Sequence, residues 1–471
     1  MVIVGRKSEQ DALKEIVESD EAEFVAVYGR RRVGKTFLIR EFFKSKFSFY
    51  HTGLANTDMK MQLHSFNLSL NNYNKGNYPE AQTWFDSFEQ LKRLLSKRRE
   101  KGKKIVFIDE MPWMDTPRSG FLSALEHFWN GWASGQKDIL LIVCGSATSW
   151  IVDKLLNNHG GLHNRVTKQI HLKQFTLLEC ETYYQKKKIE ISRQEIVENY
   201  MIFGGIPYYM SLMRKQFSVS QNVDNLLFAE NASLKNEFQN LYASLFKKAD
   251  NHIKIVETLS SKTKGLTRDE ILDSTQLPDG GSLKRILTDL ELSGFIRRYS
   301  GYGKKNRQSL YQLVDFYTLF YFNFLKNNTF KDERYWSNLI ENARHRAWTG
   351  YAFEQVCLAH ISQIKQKLGI SGVLTNTCSW ISNDRENGAQ IDLLIERNDR
   401  VVNLCEIKYA GDEFTIDKKL DENLRQKRAA FKKETKNRKT VHLTMITTYG
   451  IKRNKYSGNI QSQITINDLF M

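Results

Sequence analysis

Proline is scarce in this chain, 5 of 471 residues, and no Gly/Ser-rich tract accompanies it. No long flexible linker is therefore legible. Cysteine is scarce too. Cys144, Cys180, Cys357, Cys378 and Cys405 are scattered, odd in number and without a C-x-x-C pair. That excludes the usual zinc spacings and a disulfide framework, and predicts buried, reduced thiols in a cytoplasmic protein. No 18-residue apolar run occurs, so no membrane span and no membrane partner is expected. Arg6 and Lys7 interrupt the N-terminal apolar residues, which is unlike a signal peptide. Acids are in deficit: 53 Asp and Glu against 70 Lys and Arg, a net charge of +17. The excess suits a polyanionic partner, nucleic acid before membrane, or else simply keeps a basic chain soluble. What is abundant is apolar, 41%, with 12% aromatic. That is enough for several cores, and the length suggests roughly two to four domains.

Residues 1–180 alternate short apolar strands with helical stretches. The expected strands are Phe24–Tyr28, Phe47–Thr52, Ile105–Asp109, Ile139–Cys144 and Gln169–Leu172. This is the pattern of an α/β fold with a parallel sheet wrapped by helices. Residues 181–249 read as a helical segment broken at Gly204–Pro207. Residues 250–315 read as three helices and a hairpin, 316–345 as an aromatic-rich helical connector, and 346–471 as a second α/β domain.

The segment Gly29-Arg-Arg-Arg-Val-Gly34-Lys35-Thr36 is a complete G-x-x-x-x-G-K-[ST] between an apolar strand and a helix. Glycines let successive N–H groups turn inward as an anion nest. The helix N-terminus adds positive potential. Lys35 supplies charge to the β- and γ-phosphates of ATP, and the Thr36 hydroxyl can ligate Mg²⁺. Gly29, Arg30, Arg31, Arg32, Val33, Gly34, Lys35, Thr36 and the following Phe37 are the expected nucleotide contacts. Ile105-Val-Phe-Ile-Asp109-Glu110 supplies the second half. An apolar strand ends in two acids where ligands bind such sheets. Asp109 would hold Mg²⁺, and Glu110 would orient the attacking water. Ser146, after the strand Ile139–Cys144, either meets the γ-phosphate or its water, or caps a helix.

Residues 1–210 resemble the archaeal-type ATPase family, a branch of the AAA+ and STAND-like P-loop ATPases. The carrying residues are Val4-Gly5-Arg6-x-x-Glu9, the two Walker segments, Gly145-Ser146, and Leu162-His-Asn-Arg165 followed by Gln169–Leu172 and Phe175. The resemblance implies that Arg6 lies near the adenine. It implies that Arg165 is an arginine finger, acting within the chain or on a neighbouring copy in a homo-oligomer. Asn164 stands where the family usually has glycine, and Arg165 reads equally as a surface arginine. Phe203-Gly-Gly-Ile-Pro207 resembles the family's lid region.

Within 250–315 the helices Asn251–Ser260, Thr267–Ser274 and Gly281–Ser293 precede Phe295–Ser300 and Ser309–Leu313, which can pair as a hairpin. The set resembles a winged helix-turn-helix. Lys284 and Arg285 would then enter a DNA major groove, and Lys304, Lys305 and Arg307 in the intervening loop would neutralise phosphates. The other use of such a module is packing or dimerisation.

After residue 346, Glu354 falls in the helix Thr349–Ile361, Asp392 opens the apolar strand Ile391–Glu396, and Glu406-Ile-Lys408 lies on Val401–Ala410. Glu406 and Lys408 share a strand face, and Asp392 on a neighbouring strand can meet them. Carboxylates in apolar strands need a reason to be there. The set resembles the PD-(D/E)xK nuclease superfamily, a restriction-nuclease-like α/β domain. The resemblance implies Mg²⁺ at Glu354, Asp392 and Glu406, Lys408 beside the attacking water, and support from Gln426 or Lys427. The expectation is an ATPase with lid, winged helix and nuclease-like domain, in which ATP state gates DNA binding or cleavage. Its rivals are a STAND-like switch with an inert nuclease fold and a DNA-binding regulator whose ATP controls assembly.

Overall fold

The computed structural model describes residues 2–74, 77–157, 160–246, 248–304, 309–329, 331–340, 342–382 and 389–471. The chain folds as two compact units, 1–174 and 175–471.

In the first unit, β1 (Glu23–Tyr28), β2 (Phe49–Thr52), β3 (Lys104–Asp109), β4 (Ile139–Gly145) and β5 (Lys168–His171) form a parallel sheet in the order β2-β3-β4-β1-β5. All seven residues of β4 are buried, which is why that strand reads as an unbroken apolar run. Because β4 lies between β3 and β1, the loops after these three strands open on one edge of the sheet. The helices Met59–Asn74, Trp84–Lys97 and Phe121–Gly131 bury their apolar faces in one cluster centred on Trp84, Phe66, Phe88 and Phe121. Trp84 is fully buried, its ring 4.9 Å from that of Phe121 and 5.5 Å from that of Phe66. Thr83 and Asp86 start its helix with a reciprocal capping box.

The second unit holds the remaining strands. β6 (Leu266–Thr267), β7 (Ile296–Tyr299) and β8 (Leu310–Leu313) form a small antiparallel sheet, order β6-β8-β7, beside the helices Asp250–Ser260, Arg268–Thr275 and Gly281–Leu292. β9 (Thr375–Ile381), β10 (Gln390–Arg397), β11 (Val401–Lys408), β12 (Thr440–Thr447) and β13 (Ser462–Ile464) form a mixed sheet in the order β13-β12-β11-β10-β9. β10 is antiparallel to β9 and β11, while β11, β12 and β13 run parallel. The helix Lys418–Thr435 connects β11 to β12, and the helix Ala343–Ala359 packs on β11.

The aromatic stretch read as a connector is core. Phe316–Phe320 is buried along its whole length and packs on Arg193–Phe203, as does Ala343–Ala359. Phe320, Phe324, Trp336 and Trp348 pack ring on ring at 5.0–5.5 Å, edge to face except for the tilted Phe320–Phe324 pair, a geometry that adds to their burial. His360 is buried, its ring 5.3 Å from that of Tyr200. Its Nε2 accepts from Leu177 N at 3.0 Å and its Nδ1 donates to Val356 O at 2.8 Å. Burial lowers its pKa to about 4, so it is a neutral structural imidazole.

Trp84→Ala should destabilise the first unit by about 3–5 kcal/mol through lost contacts and a residual cavity. Urea unfolding followed on that unit measures it. A loss under about 1 kcal/mol would mean that the cluster is not its core.

Candidate functional sites

The first site is assembled where β1, β4 and β3 end. Gly29 follows β1 with φ 141°, and a Cβ there would lie 2.3 Å from the Leu172 carbonyl oxygen. Gly34, at φ 93°, begins the helix Lys35–Phe42. Only glycine meets both demands without strain. The loop between them turns back on itself, and Lys35 is enclosed at 5% exposure. Its ammonium donates to Gly29 O at 2.9 Å, Arg30 O at 3.0 Å and Ser146 Oγ at 3.0 Å. Ser146 in turn donates from Oγ to Glu110 Oε1 at 2.8 Å and from N to Oε2 at 3.2 Å. Ser146 therefore bridges the lysine and the acid. It does not cap the next helix, where no side-chain cap bond forms.

Thr36 Oγ1 donates to Asp109 Oδ2 at 2.7 Å. Burial raises the Asp109 pKa, the Thr36 hydrogen bond opposes that rise, and the charge of Glu110 adds to it. The Cys144 thiol, buried below, also hydrogen-bonds Asp109, and burial pushes that thiol well above its ordinary range. Sequence reading missed Cys144, since only the β3–β4 pairing places it there. Glu110 itself has φ 46°, left-handed for a non-glycine residue, a strained conformation of the kind that collects at functional sites.

Arg6 is buried at 5% exposure, and its guanidinium donates to Val33 O at 3.2 Å and pairs with Glu9 at 3.7 Å. It thus buttresses the loop from behind. Arg30 and Val33 are buried, Arg32 half-buried, and Arg31 and Phe37 exposed. Arg165 is exposed in the turn after Leu162. Among the described residues no hydrogen bond or ion pair joins it to the loop.

Residues 3–213 match a family model described as an ATPase domain predominantly from Archaea. This stretch is similar to an archaeal-type P-loop ATPase domain. An uncharacterized protein of Methanocaldococcus jannaschii is 23% identical over 412 residues, 87% of this chain and 88% of that one. An uncharacterized ATP-binding protein of the same organism is 41% identical over 46 residues, 10% of this chain and 78% of that one. Among solved structures, the Walker-type ATPase of Pyrococcus abyssi aligns with a TM-score of 0.48 at 16% identity, covering 68% of this chain and 96% of its own.

Beyond the ATPase domain, β10 and β11 bring a second set together. Leu393 lies opposite Cys405, so Asp392 and Glu406 follow one step along the same register. Glu406 is 9% exposed and held between two cations, Lys408 Nζ at 2.9 Å from Oε1 and Lys427 Nζ at 2.8 Å from Oε2. Burial works to raise its pKa, but Lys427 and Lys408 outweigh that and lower it. Of the two supporting residues considered, Lys427 faces the site and Gln426 is exposed. Asp392 accepts from Gln390 Nε2. Glu354, on Ala343–Ala359, is pushed up to about 8, first by burial and then by Asp392, with Glu406 adding a smaller rise and Lys408 and Lys427 opposing it.

The expected Mg²⁺ group of Glu354, Asp392 and Glu406 is not formed. Among the described residues no three His, Cys, Asp or Glu side chains gather closely enough to hold a metal ion. Lys408 and Lys427 instead occupy both oxygens of Glu406. Of the residues assigned to DNA, Lys284 and Arg285 are exposed on Gly281–Leu292 and Lys304 is exposed in the hairpin loop, whereas Lys305 and Arg307 lie outside the described residues. The start of that loop is docked: Tyr302 N donates to Ser379 O at 2.8 Å, and the Tyr302 ring lies 5.0 Å from that of Phe431.

The Glu354 carboxyl titrates near 8 in the folded chain against an ordinary value of 4.5. Between those values the folded state binds more protons than the unfolded, so stability falls as pH rises through the window. Glu354→Gln, which cannot ionise, should flatten that slope and be more stable than wild type above pH 8 by roughly 2 kcal/mol. Urea unfolding at pH 5, 7 and 9 in chelator reads this out. Equal slopes would show that Glu354 is not strained by its neighbours.

Proposed function

We propose that this chain binds and hydrolyses ATP, and that its ATP state controls how the second unit engages nucleic acid. The hydrogen-bonded path Lys35–Ser146–Glu110, beside the Thr36–Asp109 pair, carries this reading. The residues fit the nucleotide. The loop offers backbone N–H groups and a helix N-terminus, and Lys35 needs only to exchange Ser146 for a phosphate oxygen. Thr36 and Asp109 would hold Mg²⁺, whose chemistry there is to neutralise phosphate charge. Lys35 neutralises the β- and γ-phosphates. Glu110, freed from Ser146 as Lys35 shifts, orients water and accepts its proton. Arg165, exposed, is available to a neighbouring copy as an arginine finger.

The nucleic-acid half of the proposal rests on the net charge of +17 and on the 250–315 module. Three helices and a β6-β8-β7 sheet support reading that module as a winged helix, with Lys284 and Arg285 on its third helix. A second reading, phosphodiester cleavage in the second unit, is favoured by the convergence of Asp392, Glu406 and Lys408. The carboxylates as arranged do not fit a divalent cation, so no metal-borne step is derived. Nicking of supercoiled plasmid by wild type but not Asp392→Asn would establish that reading.

Lys35→Ala should abolish tight ATP binding. Glu110→Gln should retain binding and lose hydrolysis by about 10²–10⁴-fold, the range for a general base. Labelled-ATP binding and phosphate release test both. Unchanged affinity in a folded Lys35→Ala chain would remove the reading. Near-wild-type turnover in Glu110→Gln would place the base elsewhere.

A further inference from the structure

In the second unit, β7 and β8 of the helix–sheet module face the helix Ala343–Ala359 and the start of β10 across a cavity of about 430 Å³. Arg297 and Tyr299 from β7 and Gln312 from β8 line one side, Glu354 and Asp392 the other, with Arg346 also lining it. Arg297 is preorganised. Its Nε donates to Gln312 Oε1 at 2.7 Å, and its guanidinium lies over the Tyr299 ring at 4.7 Å. Among the described residues no carboxylate is in ion-pair contact with it, although Asp392 lies near enough to act on it electrostatically. A half-buried guanidinium that lines a cavity is a fork suited to a phosphate. Asp392, opposite, already accepts from Gln390, and Arg346 adds a second cation at the exposed rim.

Size narrows the ligand. A cavity of about 430 Å³ lies in the range of small-molecule sites and admits about one nucleotide, not a duplex. The walls do not belong to one module. Tyr299 and Tyr302 are tied to the β9 region through Ser379, so the cavity exists only while the hairpin is seated on the C-terminal sheet.

We propose that this cavity is a nucleoside-phosphate subsite, in which Arg297 of the 250–315 module holds a phosphate of a mononucleotide or of a single-strand end. The proposal deepens the nucleic-acid reading above and rests on it. It gives the module a role as one wall of a ligand site, besides any groove contact through Lys284 and Arg285.

The test uses the full chain carrying Lys35→Ala, so that the ATP site does not contribute. Two further changes are made in it. Arg297→Gln keeps a partner for Gln312 but removes the cation. Gly350→Leu fills the cavity from a helical position where an added Cβ meets nothing within 4 Å, and replaces a helix-weakening glycine. Anisotropy measures binding of a short single-stranded oligonucleotide with and without a 5′-phosphate, and thymidine monophosphate is the competitor. The parent should prefer the phosphorylated end. Each variant should lose about tenfold in affinity for it, Arg297→Gln with a salt slope smaller by about 0.7 as for one single-strand phosphate, while melting temperatures hold. Displacement by thymidine monophosphate would assign the site to a free nucleotide as well as a strand end. Unchanged affinity in a folded Gly350→Leu chain overturns the proposal, as does a parent that binds DNA without regard to the 5′-phosphate. A parent that binds no nucleic acid at all removes the nucleic-acid reading itself.

Discussion

A charged ammonium enclosed at 5% exposure must find acceptors, and around Lys35 the chain supplies three: two carbonyls of its own loop and the hydroxyl of Ser146. Removing such an ion from water costs several kcal/mol unless those contacts are made. The loop's shape follows from this requirement. Gly29 must approach the Leu172 carbonyl closely, Gly34 must take a positive φ, and Arg6 must support Val33 from behind. The same ammonium sets the position of Ser146, which then fixes Glu110. One buried cation thereby couples the phosphate-binding loop to the acid that would handle water, and any phosphate oxygen that takes the place of Ser146 alters Glu110 as well.

The second unit shows how neighbouring carboxylates diverge when cations are shared unequally. Glu406 has a lysine on each oxygen and stays ionised despite burial. Glu354, with no lysine in contact among the described residues and Asp392 as its strongest charged neighbour, is pushed toward its neutral form. Environments that separate titratable groups in this way are characteristic of functional sites, although structural ion-pair networks produce them too. The hairpin loop belongs to the same economy of contacts. Once Tyr302 pairs with Ser379 and packs on Phe431, the 250–315 module and the C-terminal sheet enclose a common cavity.

Much of the nucleotide site was legible in the sequence because its chemistry is local. The G-x-x-x-x-G-K-T spacing dictates a strand, a nest and a helix N-terminus whatever surrounds it. A run of apolar residues ending in Asp109-Glu110 can only be a buried strand delivering acids to an edge. The alternation of E-x-K likewise placed Glu406 and Lys408 on one face. Contacts made across elements were not legible. Arg6 matched a segment associated with the adenine, and in the fold its guanidinium also meets Val33 O and Glu9. Glu354, Asp392 and Glu406 matched a metal set, yet lysines from two elements claimed Glu406 first.

The sequence by itself determined the α/β character of the first unit, the identity of its phosphate loop and the excess of positive charge. These depend on period, spacing and composition, all of which are properties of neighbours along the chain. Only tertiary structure decided that β4 lies between β1 and β3, which turns Ser146 from an ordinary residue at a strand end into the bridge between Lys35 and Glu110. It likewise chose Lys427 over Gln426 and set Arg297 across from Asp392. Contacts between residues dozens or more than a hundred positions apart depend on strand order and helix rotation. Those are fixed by which apolar faces bury together, and no local pattern records them.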